Sequence, residues 1–376
     1  MDGKQVRVKN IETISVHGAP SEYICQEGIL NELEAKLVER GFQKVLIVHG
    51  HKSWLAAKSF LPSFTSLECE EHTYRGECSL SQIETLAELV VNGSFDGIIG
   101  IGGGKVLDLV KAACHLTKKP SVLIPTLASN CAPWTPISVI YDELGGFIRY
   151  DVYPVSASLV LIEPKILLDA PINMLIAGIG DTLAKWYEAD VQMAGIENKS
   201  VPLQVSHYTA RMCKDVLLQH SERAINAARA GVLNEDFMKV SEAIIMLGGM
   251  VGGFGDHYGR IAAAHSIHNG LTVLKETHQA LHGEKVAYGI LVQLMLEGKQ
   301  GEVEQLLPFY HELGLPVSLR HLGIKVINDE VIAFIAEKSA IPEESIHVMP
   351  IGDVTAVRVS EAIAKLEKMN ASNFIN

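Results

Sequence analysis

The chain lacks the features that mark several common protein classes. Its six cysteines (Cys25, Cys69, Cys78, Cys114, Cys131 and Cys213) are scattered, and none forms a CxxC pair. In a chain of 376 residues this points away from a disulfide scaffold and towards reduced thiols in a cytoplasmic protein. Basic residues are in deficit, 32 against 44 acidic ones, for a net charge of -12. Nucleic acid is therefore not expected as a partner, because a phosphate backbone needs a basic face. Long apolar runs are missing as well. The longest uncharged one, "AIIMLGGMVGGFG" at 243–255, is shorter than the roughly 18 residues that span a bilayer, so no membrane is expected. The opening "MDGKQVRVKN" lacks the apolar segment of a signal peptide. There is no internal repeat and no low-complexity linker. At 48% hydrophobic and 20% charged, the composition suits a globular protein with a large core.

The first 160 or so residues alternate strand-like and helix-like runs. "KVLIVHG" (44–50), "DGIIGIGGG" (96–104), "PSVLIPT" (120–126) and "SLVLIEP" (158–164) read as buried strands. "SLSQIETLAELVVNG" (79–93) reads as a helix, with Ser81 and Glu84 as a capping box, and so does "VLDLVKAACHLTKK" (106–119), with lysines in its last turn. Such alternation implies a parallel sheet with helices on both faces. After Pro164 only helical patterns follow. The expected organisation is an α/β domain at 1–162 and an all-helical domain at 163–376, with a ligand cleft between them.

"GIGGGKVLD" (100–108) sits where a strand feeds a helix. Consecutive glycines let the backbone approach a pyrophosphate, and the helix N-terminus favours the anion. Lys105 adds a positive charge. The run is neither GxGxxG nor a P-loop, since Val106 stands where a P-loop has Ser or Thr. A plain glycine-rich turn is the alternative. The strand before it ends "VHGHKS", with Gly50, His51 and Lys52 and no acid for ribose hydroxyls.

"HSIHNG" (265–270) and "HGEK" (282–285) supply His265, His268 and His282, and "GIGDTLAKWYEA" (178–189) supplies Asp181 at an expected helix start after two glycines. Zinc and iron(II) accept imidazole nitrogens and carboxylate oxygens, commonly three of them with one position open. The spacing is not a strict metal motif, and on spacing alone hydrogen-bonded helical histidines with Asp181 as an N-cap are the default reading.

Five stretches in order, "GGGKVLD", "PTLASNCAPWTPISVIY", "GIGDTLAKWYEA", "AAAHSIHNGL" and "HGEKVAYG", resemble the glycerol dehydrogenase branch of the iron-containing (group III) alcohol dehydrogenases. The resemblance runs along nearly the whole chain. It implies an N-terminal Rossmann-like domain, an all-helical C-terminal domain as in dehydroquinate synthase-like architectures, and an active site in the cleft. It implies a divalent metal, zinc or iron, on Asp181, His265 and His282, with His268 facing substrate as a proton relay. It places the dinucleotide on Gly104, Lys105, Asp108, Thr126, Ser129, Thr135, Ile137 and Tyr141. A homo-oligomer acting on a small molecule is the corresponding expectation.

Three positions depart from that pattern. "ASNCAP" has Cys131 where glycerol dehydrogenases resemble "ASTDAP", so the acid that contacts glycerol hydroxyls is gone. Lys185 lies four residues after Asp181, on the same helix face, where four-ligand relatives carry histidine. Gly50, beside His51 and Lys52, replaces an acid of NAD-using relatives, which favours NADP(H) over NAD(H). Together these point to an NADPH-dependent reductase of a small 2-oxo acid, similar to hydroxycarboxylate dehydrogenases. The alternatives are an NAD-dependent glycerol or 1,2-diol dehydrogenase, a lyase of the dehydroquinate synthase type, and a dinucleotide-binding protein whose metal Lys185 displaces.

Overall fold

The structure is a computed structural model that describes residues 13–373; the reading of the first ten residues lies outside them. Among the described residues there are eight strands: β1 (Tyr23–Cys25), β2 (Lys44–His49), β3 (Glu68–Thr73), β4 (Gly97–Gly102), β5 (Ser121–Pro125), β6 (Ile137–Tyr141), β7 (Phe147–Val152) and β8 (Leu159–Ile162). Six form one sheet in the order β1-β8-β5-β4-β2-β3, with every pair parallel. Strands β6 and β7 form a separate antiparallel ribbon.

The helices are α1 (Leu33–Glu39), α2 (His51–Ala57), α3 (Leu80–Asn92), α4 (Gly104–Thr117), α5 (Pro164–Leu168), α6 (Ile172–Met193), α7 (Val201–Ala230), α8 (Glu235–Glu242), α9 (Gly248–Gly255), α10 (Ala263–Thr272), α11 (His282–Leu296), α12 (Gln300–Leu313), α13 (Asp329–Ser339) and α14 (Ala356–Asn373). Among the described residues no strand follows β8, so an α/β N-terminal part is succeeded by an all-helical one, as expected.

Side-chain alternation explains the double covering of the sheet. Val45, Ile47, Ile99, Ile101, Val122 and Ile124 pack on one face with Leu33 and Leu37 of α1. Leu46, Val48, Ile98, Leu123 and Val160 pack on the other with Leu86 of α3 and Leu107 and Val110 of α4. With both faces buried, the central strands carry apolar residues throughout. Strands β2 and β4 lie side by side, and the chain leaves them towards opposite edges of the sheet. Their carboxyl ends, at Gly50 and Gly102, therefore flank the crevice where open α/β sheets hold ligands.

Some local expectations need correction. Ser79, not Ser81, caps α3: its side chain accepts from the Gln82 amide. The Ser81 hydroxyl instead donates to Glu143 at 2.6 Å. Lys118 is the left-handed C-cap of α4, just past the last turn. Asp181 is not at a helix start; α6 begins nine residues earlier, at Ile172. Gly178 and Gly180 do not break α6, because they are contact points. A Cβ on Gly178 would lie 2.3 Å from the Ala128 carbonyl, and one on Gly180 would lie 2.6 Å from that of Gly283. The apolar run at 243–255 belongs to a longer helical stretch, Glu235–Gly259, joined by a π-helical turn at Ala243–Leu247. By length and composition that stretch is apolar enough to cross a membrane, but 61% of its most apolar window is buried inside the fold, where it packs on α7.

Candidate active site

Three helices converge on one point. Asp181 comes from the middle of α6, His265 from the first turn of α10 and His282 from the first residue of α11. The Asp181 Oδ1 oxygen lies 3.2 Å from His282 Nε2 and 3.4 Å from His265 Nε2. One donor atom from each residue lies within 4.8 Å of the other two. Asp181 is only 3% exposed, and burial opposes its charge. The nearby Lys185 ammonium and the two imidazoles overcome that and hold its carboxyl well below the usual range.

The second nitrogen of each imidazole is already engaged. Glu188 Oε2 lies 2.7 Å from His265 Nδ1, while its Oε1 accepts from the Ala262 and His265 amides at 2.7 and 3.0 Å. Burial resists charge on His265, but Glu188 and Asp181 outweigh it and lift its pKa to about 9. His282 Nδ1 lies 2.9 Å from His268 Nε2, and His268 Nδ1 lies 3.0 Å from Asn269 Oδ1. The Asn269 amide donates to both Glu344 oxygens, at 3.0 and 3.1 Å. That fork turns the Asn269 oxygen to His268, so His268 carries its proton on Nδ1 and accepts from His282 at Nε2. His282 Nε2 is then the nitrogen that faces Asp181. Burial, then His282 and His265, hold the His268 pKa well below the usual imidazole value, so it is neutral. Two imidazole nitrogens and a carboxylate face one point, each imidazole oriented through its other nitrogen; once His265 gives up its proton they form a donor set that suits zinc or iron(II).

Lys185 points inward rather than into solvent. Burial opposes its charge, yet Asp181, Cys131 and Glu188 together raise its pKa, so it stays an ammonium. Cys131 lies across from it in the β5–β6 segment, with its Cβ 3.5 Å from where a Cβ on Gly248 would sit. Burial raises the Cys131 thiol, which is therefore neutral beside that ammonium.

The glycine turn lies at the carboxyl end of β4. Gly103 caps α4, and no side chain caps its amides. A Cβ on Gly102 would be 2.7 Å from Val106, and one on Gly104 would be 3.0 Å from Asn130. Here glycine is required by close packing, and it leaves first-turn amides open to an anion. Gly50 caps α2, so His51 and Lys52 are exposed in its first turn. Lys105 pairs with Glu77 and sits 5.3 Å above the Tyr141 ring. Asp108 faces inward: its Oδ1 lies 2.9 Å from Lys111 Nζ and its Oδ2 accepts from the Val139 amide at 3.0 Å. Lys111 also donates to the carbonyls of Ala132, Thr135 and Ile137, pinning that segment to α4. The Thr126 amide bonds to the Gly102 carbonyl at 3.0 Å, and Ser129 follows in the same half-buried loop.

A family model for "Iron-containing alcohol dehydrogenase" matches residues 20–164. The chain is 38% identical to hydroxycarboxylate dehydrogenase A of Escherichia coli (strain K12) over 95% of its own length and 99% of that protein's. It is 36% identical to a glycerol dehydrogenase of Thermotoga maritima over 88% and 91%. The chain belongs to the iron-containing alcohol dehydrogenase family. Its place is in the glycerol dehydrogenase branch. The crystal structure of a probable glycerol dehydrogenase from Sinorhizobium meliloti 1021 superposes with a TM-score of 0.85 at 32% identity, covering 96% of this chain and 100% of that one. An iron-containing alcohol dehydrogenase of this branch is an NAD(P)-dependent oxidoreductase of CH–OH groups on small molecules, and the Asp181, His265 and His282 cluster is the metal site typical of it.

Sequence reading missed four participants: Glu188, Asn269, Glu344 and Lys111. Glu188 carried a signal. Asp181, Lys185 and Glu188 stand at i, i+4 and i+7, which is one helix stripe. The contact between Asn269 and Glu344 spans 75 residues and left no local pattern.

Proposed function

We propose that the chain is an NADPH-dependent reductase of small 2-oxo acids, a hydroxycarboxylate dehydrogenase. The observation that carries this reading is the placement of a neutral Cys131 thiol and a half-buried Lys185 ammonium beside Asp181. A carboxylate at position 131 would repel an anionic substrate. A thiol does not, and the ammonium attracts one. The relative named hydroxycarboxylate dehydrogenase A supports the same substrate class. The NADPH preference rests on Gly50, His51 and Lys52 at the end of β2, where no acid repels a 2′-phosphate.

In this reading residues 1–162 bind the dinucleotide through Gly104, Lys105, Thr126, Ser129, Thr135, Ile137 and Tyr141, with Asp108 anchoring the segment from within. Residues 163–376 hold one zinc or iron on Asp181, His265 and His282. When bound, the dinucleotide supplies hydride and the cation polarises the substrate oxygen. Lys185 binds the substrate carboxylate and so fixes which carbonyl carbon faces the nicotinamide. Glu188 and His268 hold the two ligand imidazoles in the required tautomer. His268 is engaged at both nitrogens, so a proton-relay role requires its Nδ1–H to turn from Asn269 to the product oxygen. The enzyme works as a homo-oligomer in the cytoplasm.

Initial rates on 2-oxobutanoate and 2-oxoglutarate with NADPH, against glycerol with NAD, test the proposal. The oxo acids are expected to win. Reduction of neutral ketones with NADPH while both oxo acids are ignored would sink the carboxylate reading. Faster oxidation of glycerol with NAD would replace it with a diol dehydrogenase.

A further inference from the structure

Among the described residues, the β6–β7 ribbon has an edge that nothing pairs with. In β7, Phe147 is 62% exposed, Ile148 46%, Tyr150 45% and Val152 38%. Four apolar or aromatic side chains on one exposed strand, in a ribbon of only two, is an arrangement that proteins normally cover or charge.

Hydrogen bonding shows which backbone groups face outward. Val139 of β6 pairs with Tyr150. Its amide points away from β7, donating to Asp108 at 3.0 Å. Val139–Tyr150 is therefore a pair without mutual hydrogen bonds, and the N–H and C=O of Tyr150 point to the free edge. The Tyr153 amide, which donates to the Pro136 carbonyl of the β6 side at 2.8 Å, has the opposite direction, as strand alternation requires. Tyr150 and Val152 thus present their backbone groups outward, and Arg149 and Asp151 present theirs to β6; Ile148 lies at a register shift between the Arg149 and Phe147 pairs.

We infer that this edge pairs antiparallel with β7 of a second copy of the chain, about a two-fold axis through Tyr150. The inference rests on the homo-oligomer reading above and names its surface. The register follows from charge. A two-fold pairing centred on Arg149 sets Arg149 against itself, and one centred on Asp151 sets Asp151 against itself. Centring on Tyr150 sets Arg149 opposite Asp151 of the second copy, twice. The charged pairs fall at positions without mutual hydrogen bonds, where facing side chains approach most closely. Arg149 and Asp151 already share one face of β7, with Nε to Oδ1 at 2.8 Å, so both reach the same side of the joint ribbon.

The test is a charge swap read by sedimentation velocity on the full chain. R149D and D151R should each weaken self-association by roughly tenfold or more, because two attractive pairs become repulsive. Mixing R149D with D151R should restore association as a mixed species, since every cross-copy pair is then opposite in sign. The double variant R149D/D151R should associate like the parent and shows that the ribbon tolerates both changes. Circular dichroism checks that each single variant is folded. A monomeric parent overturns both this inference and the oligomer reading. An assembly that survives both single variants overturns the β7 surface alone, as does failure of the mixture to re-form. Substrate rates are measured separately, so a failed oxo-acid proposal leaves this result standing.

Discussion

At the scale of single residues, Lys185 is the most informative side chain. It sits one turn from Asp181 on α6 and close enough to oppose a divalent cation, while also being placed to hold an anion. Lys185→Met keeps the bulk and removes the charge, and its two consequences have opposite signs. KM for 2-oxobutanoate should rise roughly tenfold to a hundredfold, the range expected when a charged hydrogen bond is lost. Affinity of the stripped protein for zinc should rise, because a like charge has left the site. Steady-state kinetics and a competitive metal titration measure the two effects. Unchanged KM together with weaker metal binding would mean that Lys185 supports the fold rather than the substrate. The candidate ligands were legible only through the resemblance of their five ordered motifs, since spacing alone left hydrogen-bonded histidines and an N-cap aspartate open. Their supports were less so. Glu188 lay on a visible stripe, whereas Glu344 reaches Asn269 from a distant loop by tertiary packing alone.

At the scale of elements, the geometry of the site is set by how closely α6 and α11 approach. Gly283 follows His282, and a Cβ there would stand 1.8 Å from the Ala177 carbonyl on α6. Gly180, next to Asp181, meets Gly283 from the other side. The two glycines bring the backbones together, which puts His282 Nε2 at 3.2 Å from Asp181. Gly283→Ala must push α11 away from α6, since backbone cannot yield as a side-chain tip can. It should destabilise the protein by about 3 kcal/mol, the upper range for overpacking, and weaken metal binding in parallel. Gly301→Ala on α12 is the control, because nothing lies within 4 Å of its new Cβ. It should be neutral or stabilising by about 0.5–1 kcal/mol. Urea unfolding compares the two, and equal effects would remove the close-approach argument. The same glycines explain a misreading. In sequence they resemble a helix break before Asp181, because a glycine needed for contact and one needed for a turn look alike. Strands were legible where both faces are buried, as in β2, β4, β5 and β8. They were illegible where they are not. Strand β3, "ECEEHT", lies at the sheet edge with mostly exposed residues, and β7 is exposed along nearly its whole length.

For the whole molecule, stability and metal binding are linked through protons. Without metal, the pKa of His265 is raised to about 9 by carboxylates that outweigh its burial. An unfolded histidine titrates near ~6.5. A raised folded pKa means that the folded chain binds the proton more tightly than the unfolded one. This group's contribution to stability is therefore complete below ~6.5 and is lost as the pH rises through about 9. Asp181 and Glu188 are shifted the other way, downwards. Their contribution is present above the ordinary carboxylate range and is lost on acidification. A bound cation needs the same His265 nitrogen without its proton, so metal and proton compete for it. Apparent metal affinity should accordingly climb by up to about tenfold per pH unit between ~6.5 and 9. Since a ligand at free concentration L that binds only the folded state stabilises it by RT ln(1 + L/Kd), the rise in Tm on adding zinc to chelator-stripped protein should grow across that window. The stripped protein alone should lose stability over the same range. In His265→Gln the proton-linked part of both trends should vanish, leaving a smaller zinc effect that varies less with pH. Differential scanning fluorimetry from pH 6.5 to 8.5, with and without a fixed zinc concentration, reads both proteins. A zinc effect that shrinks with rising pH in the parent would mean that His265 does not hold the cation.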